Sequence, residues 1–544
     1  MKRCKNIFHY KKLSYNYNKL FKKITHINKD NLDWWVTSSA NRNPFVSPLF
    51  IKYCENILSV GRRENIKIEN QEFLKRELKY GFITEIYEYI VRFIKYNLKI
   101  FIRKYLLFFY EIVRKLVQLA AARITRNDDI TFSKPLILID IFALPGFYSR
   151  DRYYTGLWDS LTQNEKSFVY FVPTITNTKI KDFIKVYKEV RSSERNILVK
   201  EDFLKISDII FALIHFFRVM FLKFPTFVED GFDLSIPIKK ELQTCSGFSS
   251  AVEGILNYRF IRRLKKNNVQ LKLVVDWWES QALDKGLHLA MHHFYPDIPV
   301  IGYLGYAPRE LELQLFPTEY ESNANVIPKV IGVIGDGFVE KIKRYYPDQK
   351  VMKVPAFRFQ HLWNEKKSKN DDRPSILIAL TVLHRESFII LNMIKTNLFI
   401  IKKNNLDIHV KPHPSMSIDQ MKKGLNSDWP NEFKIVQGAT DKYIQSSKVL
   451  VTGMSSIALE SLAIGKPVIV IENPDELPLI PIPDDIPKDM WRYCSDESQV
   501  YDALKHFLYI ELDDQKKFSQ KGKNIREKYF EPVTRRGVQN FLKL

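Results

Sequence analysis

The chain has 544 residues, 45% of them hydrophobic and 13% aromatic, which is too long for a single core and too apolar for wholesale disorder. Lysine and arginine outnumber aspartate and glutamate by 84 to 62, a formal charge of +22, and such a surplus suits an anionic partner: nucleic acid, an acidic lipid surface or a phosphorylated substrate. The basic residues are spread along the chain without a nucleic-acid motif, so no nucleic acid is expected, and a solvated basic surface and a membrane-facing one remain as the two readings.

Four cysteines (Cys4, Cys54, Cys245 and Cys494) lie far apart with no CxxC and no metal-ligand spacing, which fits a reducing compartment. The start, "MKRCKNIFHYKKLSYNYNKLFKK", is basic but lacks a continuous apolar core, so no signal peptide is read and a cytoplasmic location is expected. Residues 1–130 read as a basic helical extension. Within it "FIRKYLLFFYEIVRKLVQLAAARI" (Phe101 to Ile124) is amphipathic, a helix either packed on its own domain or lying on an anionic membrane as a peripheral attachment.

After Lys134 and Pro135 the pattern changes. "LILIDI", "FVYFV", "LKLVVDWW" and "IPVIGYLGY" are short apolar strands alternating with helical stretches, the signature of a parallel α/β sheet covered on both faces. The run "IIFALIHFFRVMFLKF" from Ile209 is broken by Arg218 and Lys223 before it reaches spanning length, and reads as a buried or interfacial helix. The rhythm pauses at Pro317 to Val330, which reads as a linker closing a first domain over 131–320. A second alternating set, "VIGVIG", "KVMKVP", "SILIALTVL", "LDIHVKPHP", "FKIVQG", "SKVLVTG" and "KPVIVIENP", gives a second domain over 321–510, and 511–544 reads as a charged helical tail. The expected fold is therefore α/β, two doubly wound Rossmann-like domains facing across a cleft at the C-terminal edges of both sheets.

The residues that could carry chemistry fall at those edges. In "HVKPHPSMS" two prolines hold His413 just after a strand, where an imidazole can bond a phosphate oxygen; a mere helix cap is the alternative. In "VTGMSSIALESLAIGKPVIVI" a cap accounts for one of Ser455 and Ser456 but not for both, and Glu460, one turn on from Ser456, shares the face toward the cleft, where it could accept the hydroxyls of a ribose. His384 and Arg385 of "LTVLHRESF" could hold the donor phosphate or a sugar carboxylate. In the first domain Glu279 follows Asp276, Trp277 and Trp278. Glu279 is the leading candidate for general base or nucleophile, Asp276 and Asp151 are rivals, and the two indoles suit the apolar face of a sugar. The loop "GFYSRDRYYTGLW" offers Arg150, Arg152, Tyr153 and Tyr154 toward an acceptor.

"KPHP" followed one βαβ unit later by "SSIALESLAIGKPVI" resembles the His-Pro and Ser-Ser motifs of GT-B glycosyltransferases of bacterial surface polysaccharides. That group holds the capsule Kdo transferases, the bacterial sialyl- and polysialyltransferases and, more distantly, the teichoic-acid glycerophosphotransferases. The resemblance covers about the C-terminal third. It implies that His413, Ser455 and Ser456 contact the phosphate and nucleotide of a cytidine-activated donor, with Glu460 on the ribose, and that the acceptor is a capsule or lipopolysaccharide glycan or glycolipid, reached at the cytoplasmic face of the inner membrane. A UDP- or dTDP-sugar, or a CDP-glycerol donor, fits the same motifs. A sugar-nucleotide 2-epimerase is disfavoured by the absence of a Ser-Gly-Gly stretch. A noncatalytic nucleic-acid-binding protein on a degenerate version of the fold is the reading from another class. No P-loop, GxGxxG, HExxH or DxD occurs at a fitting place, so a transferase working with protein groups, without metal or cofactor, is expected.

Overall fold

The computed structural model describes residues 7–55, 57, 82–126, 132–224, 228–229, 232–244, 246–363, 374–413, 416–425, 429–438, 440–474 and 477–544. Two six-stranded sheets organise them, and every strand pairing in both is parallel. The first sheet is built from β1 (Leu136–Ala143), β2 (Val169–Ile175), β3 (Leu271–Trp277), β4 (Val300–Leu304), β5 (Val330–Val333) and β6 (Lys350–Lys353), in the order β2-β1-β3-β4-β5-β6. Ile197 bridges to Phe171 in parallel beyond β2, the trace of a further strand on that edge. The second sheet is built from β7 (Ser375–Ala379), β8 (Asp407–Lys411), β9 (Phe433–Ile435), β10 (Ser447–Thr452), β11 (Val468–Ile471) and β12 (Trp491–Cys494), in the order β9-β8-β7-β10-β11-β12. That is the 3-2-1-4-5-6 order of a dinucleotide-type doubly wound sheet. The strands β7 and β11 are aliphatic almost throughout, and β1 is apolar apart from Asp140, because helices cover both of their faces. The two-domain Rossmann-like architecture expected from the sequence is the one observed.

The domain boundary differs from the expectation. Both "VIGV" and "KVMK" join the first sheet as β5 and β6, so the chain passes to the second domain along Pro355–Trp363, not at Pro317–Val330. The pause near Pro317 is a loop between adjacent strands that carries the short helix Glu319–Asn323. Short parallel strands look alike in either sheet, so sequence rhythm alone does not say where one sheet ends.

The flanking segments are also more integrated than an extension and a tail. Helix α1 (Ile7–His26) buries Tyr17, Leu20, Phe21 and Ile24 against the first domain, and Leu477 and Leu479 of the second share that core. Lys11 meets Asp484 at 2.7 Å, and the Ser14 and Tyr345 hydroxyls lie 2.6 Å apart. Arg42, fully buried, pairs with Glu321 at 2.6 Å. The long helix α2 (Phe82–Ile124) lies on the first domain and contacts α3 (Ile206–Leu213). Helices α4 (Phe248–Lys266) and α5 (Ala282–Phe294) meet at Gly254 and Gly286: a Cβ on Gly286 would sit 1.9 Å from the Gly254 carbonyl oxygen, so only glycine permits that approach.

At the other end, helix α8 (Leu512–Tyr529) covers the second domain and α9 (Arg535–Leu542) returns to the first. There Val538, Phe541 and Leu542 are fully buried, at about 1.5–3 kcal/mol each, and Arg535 forks onto Glu165. The chain therefore crosses between domains twice. The two crossings are stitched together where the Ala356 N–H donates to the Glu531 carbonyl at 2.8 Å.

Candidate functional site

In each sheet the strand order reverses direction at one point, and ligands of open α/β sheets bind in the crevice outside the strand ends there. In the first sheet that point lies between β1 and β3, in the second between β7 and β10. The loops leaving those four strands carry Arg150 to Tyr154, Trp278 to Gln281, His384 and Arg385, and Ser455 and Ser456. His413 leaves β8, the neighbour of β7.

In the second domain the serine loop is fixed from beneath. Thr452 Oγ1 donates to the Ala379 carbonyl at 2.8 Å, and the buried Glu386 accepts the Met454 N–H at 2.9 Å. Gly453 has to be glycine, since a Cβ there would stand 2.4 Å from a Glu386 oxygen. Ser456 precedes helix α7 (Ile457–Ala463) without making a side-chain cap. Among the described residues neither serine hydroxyl is committed to a hydrogen bond, and both side chains are half-buried. Two hydroxyls are thus held at a sheet edge without a structural duty. Glu460 Oε2 stands 3.3 Å from His361 Nε2, a residue of the interdomain crossing. Burial disfavours charge on His361, but the bond and charge of Glu460, with Asp441, hold its pKa above the ordinary 6.5.

His413 is half-buried, and Pro414 lies outside the described residues. Burial first, then the charges of Arg152, His384 and Lys411, pull its pKa below 6.5, so the imidazole is neutral at neutral pH. Arg152 belongs to the first domain. The loop after β1 therefore brings the Arg152 cation within electrostatic reach of the His413 imidazole across the cleft. His384 and Arg385 are exposed in the first turn of helix α6 (His384–Thr396).

In the first domain Glu279 is gripped at both oxygens. Trp277 Nε1 donates to Oε1 at 2.9 Å and Gln281 Nε2 donates to Oε2. Asp284 holds the same turn by accepting the N–H groups of Glu279 (2.9 Å) and Gln281 (2.8 Å), an N-terminal capping duty rather than a chemical one. Burial raises the Glu279 pKa above 4.5; the two donors oppose it, Glu312 adds to it and Arg358 opposes it. A carboxylate with an elevated pKa, fixed at a cleft edge, has the properties of a general base.

Several expected roles do not survive the geometry. Asp276 is 1% exposed and its carboxylate is bonded to His288 Nε2 at 2.8 Å inside the domain, so it does not reach the cleft. Asp151 spends Oδ1 on the Tyr153 and Tyr154 N–H groups (2.8 and 2.9 Å) and lies 3.4 Å from Arg195 through Oδ2, which makes it the organiser of its turn. Trp277, Trp278 and Tyr154 are buried to within 1% and Tyr153 to 9%, all four in the core around the first sheet. They are not a platform for a sugar ring. Aromatic residues right after a strand in a parallel sheet fall inside the layer of covering helices, and these four do. Trp277 acts on the site indirectly, through its indole bond to Glu279. Arg150 is exposed on the same loop.

Arg309, Glu312, Glu386, Arg358 and His361 were not read from the sequence. Arg309 follows β4 at the functional edge, so the positional rule that flagged Glu279 applies to it as well. Arg358 and His361 sit in the crossing, where no strand end marks them. A cavity of about 380 Å³ is lined among others by Thr174, Thr176, Ser249, Ser250 and Gln281, with Tyr110 and Arg114 of α2. Gln281 thus touches both the cavity and the Glu279 carboxylate.

No protein-family model matches the chain, and its sequence matches no curated protein. Solved structures do show a similar chain course. S. aureus MnaA with UDP is 13% identical over 76% of this chain and 98% of that one, with a TM-score of 0.43. The UDP-GlcNAc 2-epimerase of Neisseria meningitidis bound to UDP-GlcNAc is 13% identical over 75% and 98%, with a TM-score of 0.42. MurG of Acinetobacter baumannii is 12% identical over 75% and 99%, with a TM-score of 0.37. The likeness is one of chain course alone, and the fold assignment rests on the strand orders of the two sheets.

Proposed function

We propose that the protein is a glycosyltransferase that moves a sugar from a nucleotide-sugar donor to a hydroxyl of a surface-polysaccharide or lipopolysaccharide acceptor. The observation that carries this reading is the pairing of chemistries across the cleft. One wall holds a fixed carboxylate of raised pKa near a hydroxyl-rich cavity, and the other holds uncommitted serine hydroxyls and, two strands away at the same sheet edge, an imidazole within reach of Arg152 and Lys411. In the proposed reaction Ser455, Ser456 and His413, with Arg152 and Arg385, hold the donor phosphates. Glu279 takes the proton of the acceptor hydroxyl as its oxygen bonds to the anomeric carbon, and the nucleotide leaves with the bonding electrons. The cations and His413 then offset the charge left on its terminal phosphate. Glu460, already paired with His361, has one carboxylate oxygen to offer a ribose. The reading invokes no cofactor, and chelation of metals is expected to leave turnover unchanged.

The motif resemblance favours a CMP-linked Kdo- or sialic-type donor, whereas the ligands named for the neighbouring structures accord with a UDP-sugar. Thermal stabilisation by CMP, CDP, UDP, GDP and dTDP, on wild type and on His413→Ala, decides between them. A nucleotide at a hundred times its dissociation constant is expected to stabilise the wild type by about 2.7 kcal/mol and the variant by much less. No response to any nucleotide would overturn the reading. Conversion of a nucleotide sugar to its epimer with no acceptor present would replace it by the epimerase reading.

A further inference from the structure

Helix α2 does not bury its whole apolar surface. Ile102, Leu106, Phe109, Val113 and Leu116 form a row at helical spacing that faces outward, with Leu106 64% and Phe109 60% exposed. Alongside, Ile206, Ile210 and Ile214 of α3 and the turn after it, then Phe217 and Phe221 just beyond, repeat the pattern, and Phe221 is 80% exposed. The two rows adjoin: the rings of Phe108 and Phe217 are 5.5 Å apart, and Lys104 Nζ lies 4.7 Å from the Phe216 ring centre and 3.6 Å from Met220 Sδ. The result is an apolar face two helices wide, broader than the single seam of a coiled coil.

Its charge is one-sided. Residues 102–126 contain six Lys or Arg, of which Lys115 is buried, and a single acid, and 203–224 contain three, of which Arg218 is paired with Asp33, and a single acid. Both acids are withdrawn from the surface. Glu111, 1% exposed, accepts from Ser249 Oγ at 2.6 Å, and Asp208, fully buried, is clamped by Arg259 and Arg263 at 2.6 Å each. Arg103, Lys205 and Lys223 are exposed around the apolar rows. Exposed leucine, isoleucine and phenylalanine with exposed Arg103, Lys205 and Lys223 among them is the surface that inserts at the headgroup level of an anionic bilayer. Among the described residues no helix is long and apolar enough to cross a membrane.

We infer that the face formed by α2 and α3 docks on an anionic phospholipid surface, with the aliphatic and aromatic rows entering the headgroup region and Arg103, Lys205 and Lys223 contacting lipid phosphates. Tyr110, 47% exposed beside the α2 row, also lines the cavity that Gln281 shares with the Glu279 carboxylate. An acceptor borne by the same bilayer would reach that cavity without leaving the membrane. This consequence rests on the proposed transferase reading, and the docking itself does not.

The test is co-sedimentation of the full chain with phosphatidylcholine vesicles, with and without phosphatidylglycerol, at low and high salt. The expected result is binding to the anionic vesicles that falls with salt and drops at least about tenfold in Leu106→Glu and in Phe221→Glu, at unchanged melting temperature. Both substitutions are at exposed sites away from the cleft, so nucleotide stabilisation is expected to persist in them, which separates failure of docking from failure of the donor site. Wild type remaining in the supernatant, or variants sedimenting like wild type, would overturn the inference. So would a wild-type dimer in analytical ultracentrifugation that Leu106→Glu dissociates while no vesicles bind, since the face would then belong to a second copy.

Discussion

Arg309 of the first domain donates to the Met454 carbonyl of the second at 3.0 Å, across the cleft and immediately before Ser455. Its other nitrogen meets Glu312 Oε1 at 2.6 Å, and the Met454 N–H is taken by Glu386 at 2.9 Å. The Met454 backbone, which leads into the two serines, is thereby held from both sides, its carbonyl by the first domain and its N–H by the second. Arg309→Ala is expected to lose about 1.5–3 kcal/mol of this restraint, measured in a nucleotide titration as roughly ten- to hundredfold weaker binding. Arg309→Lys is expected to restore little, because an ammonium does not reproduce a fork that reaches both Glu312 and the carbonyl. Unchanged affinity in Arg309→Ala would show that the contact plays no part in shaping the donor site.

For Glu279 the expectation is a loss in turnover without a loss in donor binding. Glu279→Gln keeps the shape and removes the base, so kcat should fall by about 10²–10⁴ while thermal stabilisation by nucleotide is retained. The wild-type rate should decline toward acid as Glu279 takes up a proton, with a midpoint above the ordinary glutamate value of 4.5 because burial raises it. Trp277→Phe removes a donor that stabilises the carboxylate, so that midpoint should move further up. A purely structural Trp277 would lower activity at every pH and leave the midpoint in place.

A second carboxylate predicts stability instead. Glu253 of α4 is buried between Lys115 of α2 and Lys200, the latter at 2.8 Å, and these two ammonium groups carry its pKa far below 4.5 against the cost of burial. Glu253→Gln strands two buried cations and should cost about 3–5 kcal/mol in denaturant unfolding at neutral pH. A depressed carboxylate stabilises the fold above its unfolded pKa and ceases to do so as pH falls through the folded one. The gap between wild type and variant should therefore narrow in acid. A gap that is constant with pH would mean that the destabilisation comes from packing and not from charge.

How much of this was legible in the sequence depended on whether a signal was local. The strands declared themselves because short, almost wholly aliphatic runs such as "SILIA" and "VIVI" have few other uses, and the positions of His413, Ser455 and Ser456 followed from strand ends. The boundary was misplaced because nothing local distinguishes Val330–Val333 as the fifth strand of one sheet from the first strand of the next. Asp276 and Asp151 resembled Glu279 in kind and placement. What separates them is their partners: His288, twelve residues on, takes Asp276, and Asp151 is spent on the N–H groups of its own turn with Arg195 beside it. The same holds for Arg309, whose acceptor Met454 is 145 residues away. Local pattern gave the elements and the candidate loops, and long-range pairing decided which side chains in those loops are left for chemistry.

His413 yields a prediction whose sign is set by its neighbours. In the free protein burial and the charges of Arg152, His384 and Lys411 keep the imidazole neutral at neutral pH. A nucleotide phosphate entering among these groups brings negative charge, which favours the protonated ring and raises its pKa. Binding should then take up a proton. By linkage, affinity should strengthen as pH falls through the bound-state pKa and level off below the free-state one. Calorimetric titration of the favoured nucleotide in buffers of different ionisation enthalpy measures that uptake directly. The expected result is net proton uptake in the wild type near neutral pH and a smaller uptake in His413→Ala, with weaker binding. Equal uptake in both proteins would place the proton elsewhere, on His384 or on the phosphate itself, and would remove His413 from the donor site.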